Sequence, residues 1–135
     1  MDDDASPDVG AAREEEERLS LKFQRELNAG LVGLVLLAVL DQADEDLYGY
    51  QIAKRLQALA DGSPPVKQGA LYPVLRQLSA NGLLASRIVP SYAGPPRRYY
   101  RITDAGRATL ADWRGIWRNT RDFVDGFTEA NGASS

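Results

Sequence analysis

The chain contains no cysteine and no histidine among its 135 residues. Without thiols there is no disulfide framework and no thiolate nucleophile. With imidazoles missing as well, the usual zinc and copper ligand sets cannot be assembled. The Ser-His-Asp and Cys-His arrangements of hydrolases are excluded too. Carboxylates remain for acid–base or magnesium work, but most lie in tails and loops and are not paired on one element. An enzyme is therefore not expected, nor a metal, nor a cofactor. Long hydrophobic runs are also missing. The longest, Leu31 to Leu40, is ten residues, about half of the roughly 20 that a bilayer-spanning helix needs. The chain opens MDDDASPD, without the basic-then-apolar order of a secretory signal. No membrane is expected as a partner, and the cytoplasm is the expected compartment.

Positive charge is scarce overall, with 16 Lys and Arg against 19 Asp and Glu. On that average a nucleic-acid partner looks wrong, but the distribution reverses the impression. Residues 1–18 hold eight acids against Arg13 and Arg18. Between positions 66 and 107 stand Lys67, Arg76, Arg87, Arg97, Arg98, Arg101 and Arg107, opposed by Asp104 alone. A local basic footprint matters more for phosphate binding than the overall balance.

At this length one domain with a modest core is expected. Residues 1–18 read as an acidic extension, with no periodicity over the first twelve and disorder expected. Leu19, Phe23 and Leu27 begin a helical lead-in, and the spacing predicts a buried helix over 27–43. A second helix is predicted from Asp46 or Leu47, with Asp46 as its cap and Gly62, Pro64 and Pro65 as its stop. A third runs from Lys67, with Leu71, Val74, Leu75 and Leu78 as its apolar stripe and Asn81-Gly82 as its exit. Gln68, Tyr72, Arg76 and Ser79 share a neighbouring face by helical spacing. LLASRIVP and RRYYRIT, either side of the turn-rich SYAGPP, predict a two-stranded hairpin. Thr103 is placed to cap a last helix that runs to about Phe127.

Helix, helix, helix, hairpin is the order of a winged helix-turn-helix, so the fold class expected is mainly α (α+β). A helix fits the major groove of DNA, where base edges carry a distinguishable donor and acceptor pattern. Basic residues on a hairpin can lie along the phosphates. On the last helix Leu110, Trp113, Trp117, Thr120, Val124 and Phe127 follow a heptad-like 3-4-3-4-3 spacing, with Ile116 and Phe123 beside it. Two tryptophans on one seam are an apolar surface that something must cover.

LNAGLVGLVLLAVL, LYGYQIAKRL, GALYPVLRQLSANGLL and GPPRRYYRITDAG, four blocks in the right order, resemble the PadR family of bacterial transcriptional regulators. The resemblance runs from about Leu27 to Phe127, and the single last helix looks like the shorter branch of that family. It implies a winged domain over 19–103, a dimerisation helix over 104–128 and a frayed tail over 129–135. It also implies a homodimer on a palindromic double-stranded DNA operator. The DNA-contacting set it implies is Tyr48, Lys67, Gln68, Gly69, Ala70, Tyr72, Pro73, Arg76, Arg97, Arg98 and Tyr99. Ala70 stands where the family usually has Thr, which puts the operator sequence in question. Tyr72 has a packing role open to it as well as a DNA contact, and Tyr48 likewise. Some family members hold a flat aromatic effector near the last helix, so a small planar hydrophobic ligand at Trp113 and Trp117 is a further expectation, with release from DNA as its consequence. The rival expectation is a winged-helix protein–protein adaptor without specific DNA binding.

Overall fold

The computed structural model describes residues 7–59 and 68–129. In chain order the elements are α1 (Pro7–Ala43), β1 (Leu47–Tyr48), α2 (Gly49–Leu59), α3 (Gln68–Ala80), β2 (Leu84–Val89), β3 (Arg97–Ile102) and α4 (Asp104–Thr128). The expectations for residues 1–6, for the stop at Gly62, Pro64 and Pro65, for Lys67 and for the tail after residue 129 fall outside the described residues. Two compact units divide the chain, Met1–Val32 and Gly33–Ser135.

In the first unit α1 begins at Pro7, inside the segment expected to be irregular. Proline is tolerated at the first helical position, where its missing N–H would lack a partner anyway. The AAREEEER run that follows is rich in strong helix formers. Arg18 pairs with Glu15 one turn back, and Gln24 donates to the Asn28 side-chain oxygen at 2.9 Å. Propensity and local pairs, not an apolar stripe, make residues 7–18 helical, so that part of α1 carries no period to read. Leu19, Leu21, Phe23 and Leu27 stay exposed on α1.

The second unit holds the core. Leu36, Leu37, Leu47, Ile52, Leu71 and Leu75 are its largest fully buried side chains, each worth about 1.5–3 kcal/mol relative to exposure. By length and composition α1 is apolar enough to cross a membrane. Leu36, Leu37, Val39 and Leu40 of that helix are buried in this core, and 28% of its most apolar stretch is buried overall.

Leu47 and Tyr48, expected to open the second helix, form β1 instead. They pair antiparallel with Tyr100 and Tyr99 of β3, while β2 pairs along the other edge of β3 from Leu84↔Ile102 to Val89↔Arg97. The expected two-stranded hairpin is thus a three-stranded sheet in the order β1-β3-β2. A strand of two residues has no alternation to detect, and only the distant edge of β3 creates it. Asp46 does not cap α2; its carboxylate accepts from Arg87 Nε at 2.8 Å. The side-chain oxygen of Gln51 serves that end, accepting from the Tyr48 N–H at 3.1 Å.

α3 ends as its Asn81-Gly82 exit implied. Gly82 takes a positive φ of 78°, its N–H donates to the Ser79 carbonyl at 3.0 Å, and the Leu83 N–H reaches the Leu78 carbonyl at 2.9 Å. This crossed pair is the Schellman ending, which uses glycine because it carries no Cβ penalty in the left-handed region. Thr103 caps α4, accepting from the Gly106 N–H at 3.0 Å. The Thr103 hydroxyl proton in turn has the Gly82 carbonyl at 2.7 Å and the Leu83 carbonyl at 3.1 Å. A Cβ on Gly106 would collide with that same Leu83 carbonyl and with Ile102, so glycine is required for the close approach.

Candidate nucleic-acid interface

Helix α3 sends Leu71, Leu75 and Leu78 into the core. That commitment turns Tyr72 and Arg76 outward, one helical turn apart, with Gly69, Ala70 and Pro73 also exposed. Pro73 sits at the sixth residue of α3 and not in its first turn. Its ring therefore deletes the N–H that would have bonded the Gly69 carbonyl. Gln68 supplies the first residue of the helix.

The tyrosine of the Leu-Tyr-Pro segment is held by the glycine of Tyr-Gly-Tyr. A Cβ on Gly49 would stand 2.5 Å from Tyr72 Cε1 and 2.7 Å from its hydroxyl. Tyr72 is nonetheless 38% exposed. One ring is therefore both packed against Gly49 and partly open to solvent.

Strand alternation separates the two wing arginines, Arg97 and Arg98. Successive residues of a strand point to opposite faces. Arg98 lies on the side of buried Tyr100 and donates from Nη1 to Ser86 Oγ at 3.1 Å. Arg97 lies on the other side, its guanidinium 4.5 Å from the centroid of the Tyr48 ring. Two neighbouring charges thus serve two different surfaces.

The Arg97 surface is aromatic and basic in alternation. Tyr48 meets Tyr99 edge to face at 5.3 Å and stacks on Tyr50 at 6.4 Å. Lys54 stands over the Tyr50 ring at 5.7 Å, and Arg87 over the Tyr99 ring at 5.2 Å. Such cation–π contacts hold the Arg97 and Lys54 charges in place without neutralising them, whereas Arg87 is also paired with Asp46. Tyr50, Lys54 and Arg87 lie outside the DNA-contacting set that the resemblance implies; their link to Tyr48 and Tyr99 runs through β1, a strand with no sequence signal of its own.

The Arg98 surface is a cleft of about 550 Å³ lined by Tyr72, Arg76, Ser79, Ser86, Arg98 and Tyr100. Burial pushes the Tyr100 phenol above its ordinary value of 10.0, while the nearby Arg98 and Arg76 charges pull it back. Ser79, Ser86 and Tyr100 are further residues that the sequence-derived set lacked. The helical spacing of Ser79 from Tyr72 and Arg76 was visible, but the opposing wall was not.

On α4 the heptad positions part company. Leu110 is buried in the chain's own core, at 3% exposure, so it is not available to a second subunit. Trp113 is half-buried, with its Cζ3 atom 3.4 Å from where a Gly33 Cβ would stand. Beyond it Trp117, Thr120, Val124 and Phe127 are exposed, as are Ile116 and Phe123. Phe123 and Phe127 meet edge to face at 5.0 Å.

The family model of the PadR-like transcriptional regulators matches residues 36–112, from the buried part of α1 into α4. The chain belongs to that family, whose members are transcriptional regulators and not enzymes. It is 38% identical over 93 residues to the transcriptional regulator Rv3488 of Mycobacterium tuberculosis, covering 67% of this chain and 81% of that protein. A crystal structure of a PadR family transcriptional regulator from Eggerthella lenta is 33% identical, with a TM-score of 0.65 over 88% of this chain and 96% of that one. The fold is also that of Bacillus subtilis PadR, crystallised with operator DNA. There the TM-score is 0.55 at 24% identity, over 62% of this chain and 46% of that chain. These matches establish the winged-helix fold expected from the order of elements.

Proposed function

We propose that this regulator is a cytoplasmic homodimeric repressor that binds a palindromic operator through α3 and the β2–β3 hairpin. The observation that carries the reading is the pairing of Arg76 with Arg98 across the α3–hairpin cleft. Neither guanidinium forms an ion pair among the described residues, and Tyr72 stands beside them. Uncompensated charge at the mouth of a groove-sized helix attracts phosphate at the cost of intramolecular stability. The Bacillus subtilis relative crystallised on operator DNA supports this reading. Under this reading Lys67 to Arg76 read bases and fix register, Arg76 through a phosphate, while Arg97 and Arg98 meet backbone phosphates.

The exposed α4 residues Trp117, Thr120, Val124 and Phe127 support a two-fold seam with a second copy. Two-fold symmetry places two recognition helices in successive major grooves, which is why the operator is palindromic. Trp117, at 36% exposure, is the better platform for a planar hydrophobic effector, because Trp113 is already packed near Gly33. Effector release is a coupling between that seam and α3.

Fluorescence-anisotropy titration of the DNA upstream of the protein's own gene, at two salt concentrations, tests the reading. Tight, sequence-dependent binding that weakens steeply with salt is expected. Binding no tighter than to random duplex, with a protein partner captured instead, would favour the adaptor reading. Tryptophan emission that stays constant across a broad panel of planar hydrophobes would remove the effector.

A further inference from the structure

The α3–hairpin cleft has a chemistry that general attraction to DNA does not require. Its lining is two guanidiniums, two phenols and two aliphatic hydroxyls, with no acid among them. Arg87, Arg107 and Arg55 are matched with Asp46, Asp41, Asp104 and Glu45; Arg76 and Arg98, like Arg97 and Arg101, have no ion pair among the described residues, and the first two line one space. Ser86 fixes the Arg98 head from the side, so one fork of that guanidinium is already oriented before any ligand arrives. Ser79 Oγ is buried and has no hydrogen-bond partner among the described residues. A buried hydroxyl without a partner costs free energy, and such groups in native folds call for a ligand, water or ion. Tyr100 is buried at the floor of the cleft, and charge-assisted hydrogen bonds are roughly twice as strong as neutral ones.

We propose that this cleft is a seat for a phosphate group, gripped by Arg76 and Arg98 and bounded by Tyr72, Ser79, Ser86 and Tyr100. Guanidiniums match phosphate oxygens through paired N–H donors, and the hydroxyls supply neutral donors for the remaining oxygens. The space exceeds that of a bare phosphate and lies within the range of about 300–1,000 Å³ typical of small-ligand sites. The group thus arrives on something larger. Two sources share that chemistry, a backbone phosphate of bound DNA and a free phosphorylated molecule competing with it. Only the first source rests on the DNA-binding reading above.

The test compares Arg98→Gln with Arg97→Gln, adjacent and identical changes on opposite faces of β3, in the full-length chain. Inorganic phosphate is titrated at constant ionic strength and followed by amide NMR, and duplex DNA binding is measured with and without it. Saturable shifts at residues 76–79, 86 and 98–100 that Arg98→Gln abolishes and Arg97→Gln keeps are expected, with phosphate displacing DNA if the free source operates. Cleft shifts with DNA alone, and a larger loss of DNA affinity for Arg98→Gln than for Arg97→Gln, would identify the backbone source. Unsaturable shifts spread equally over both faces, with the two variants equally impaired, would overturn the seat while leaving DNA binding intact. Saturable phosphate binding in the cleft with no duplex affinity would do the reverse, removing the DNA reading and keeping the seat.

Discussion

The ring of Tyr72 rests on Gly49, so close that any side chain at 49 would occupy the position of its Cε1 and hydroxyl. An exposed tyrosine on α3 is thereby set by the first residue of α2. Gly49→Ala is expected to push the ring aside while leaving α2 helical, since alanine is the better helix former. DNA affinity should fall about tenfold, or roughly 1.4 kcal/mol, with little change in the urea midpoint. Equal losses of affinity and stability would show that Gly49 serves packing alone.

Gly106 makes the opposite trade. Its missing Cβ leaves room for the Leu83 carbonyl and Ile102, and a backbone oxygen cannot swing away as a side chain can. Gly106→Ala should destabilise the winged unit by about 2 kcal/mol or more, as overpacked cores do. Chemical denaturation would read this directly, and a midpoint within error of wild type would contradict the close approach.

Tyr100 gives an alkaline signature. Burial raises its phenol above 10.0, so the folded state holds that proton more tightly than the unfolded chain. The associated stability is complete below pH 10 and is lost as pH rises past it through the folded value. One of the six tyrosines should ionise late in an ultraviolet titration. Tyr100→Phe should remove that late component and flatten the stability profile above pH 10. An unchanged titration curve would place the late phenol elsewhere.

Phe127→Asp and Trp117→Ala address the exposed end of α4. Both side chains are exposed in a single copy of the chain, so neither change should lower its thermal midpoint much. Sedimentation velocity should nonetheless move from dimer to monomer, with loss of operator affinity. Leu110→Ala should behave differently, costing about 2–5 kcal/mol of folding stability as buried leucines do. A dimer that survives Phe127→Asp would exclude the α4 seam.

Features held together by neighbours in sequence were legible. The stripe of α3, the Gly82 exit and the Thr103 cap depend on residues within a turn or two, and the structure has all three. The family blocks added the order of elements. What escaped notice spans long stretches of chain. β1 exists because Tyr99 and Tyr100 lie beside it, and Gly49 meets a ring 23 positions away. The split of Arg97 from Arg98 was written in the strand period, but a charge pair reads as one feature until the two faces have different neighbours. The early start of α1 escaped for another reason: residues 7–18 carry charge and alanine, and no large apolar residue recurs there at helical spacing.

The Gly82-Leu83 corner is shared property. Its backbone atoms close α3, accept the Thr103 hydroxyl and N–H, and press against Gly106. The end of the helix that would read DNA and the start of the helix that would meet a second copy are thus moored to the same two residues, although the whole β2–β3 hairpin separates them along the chain.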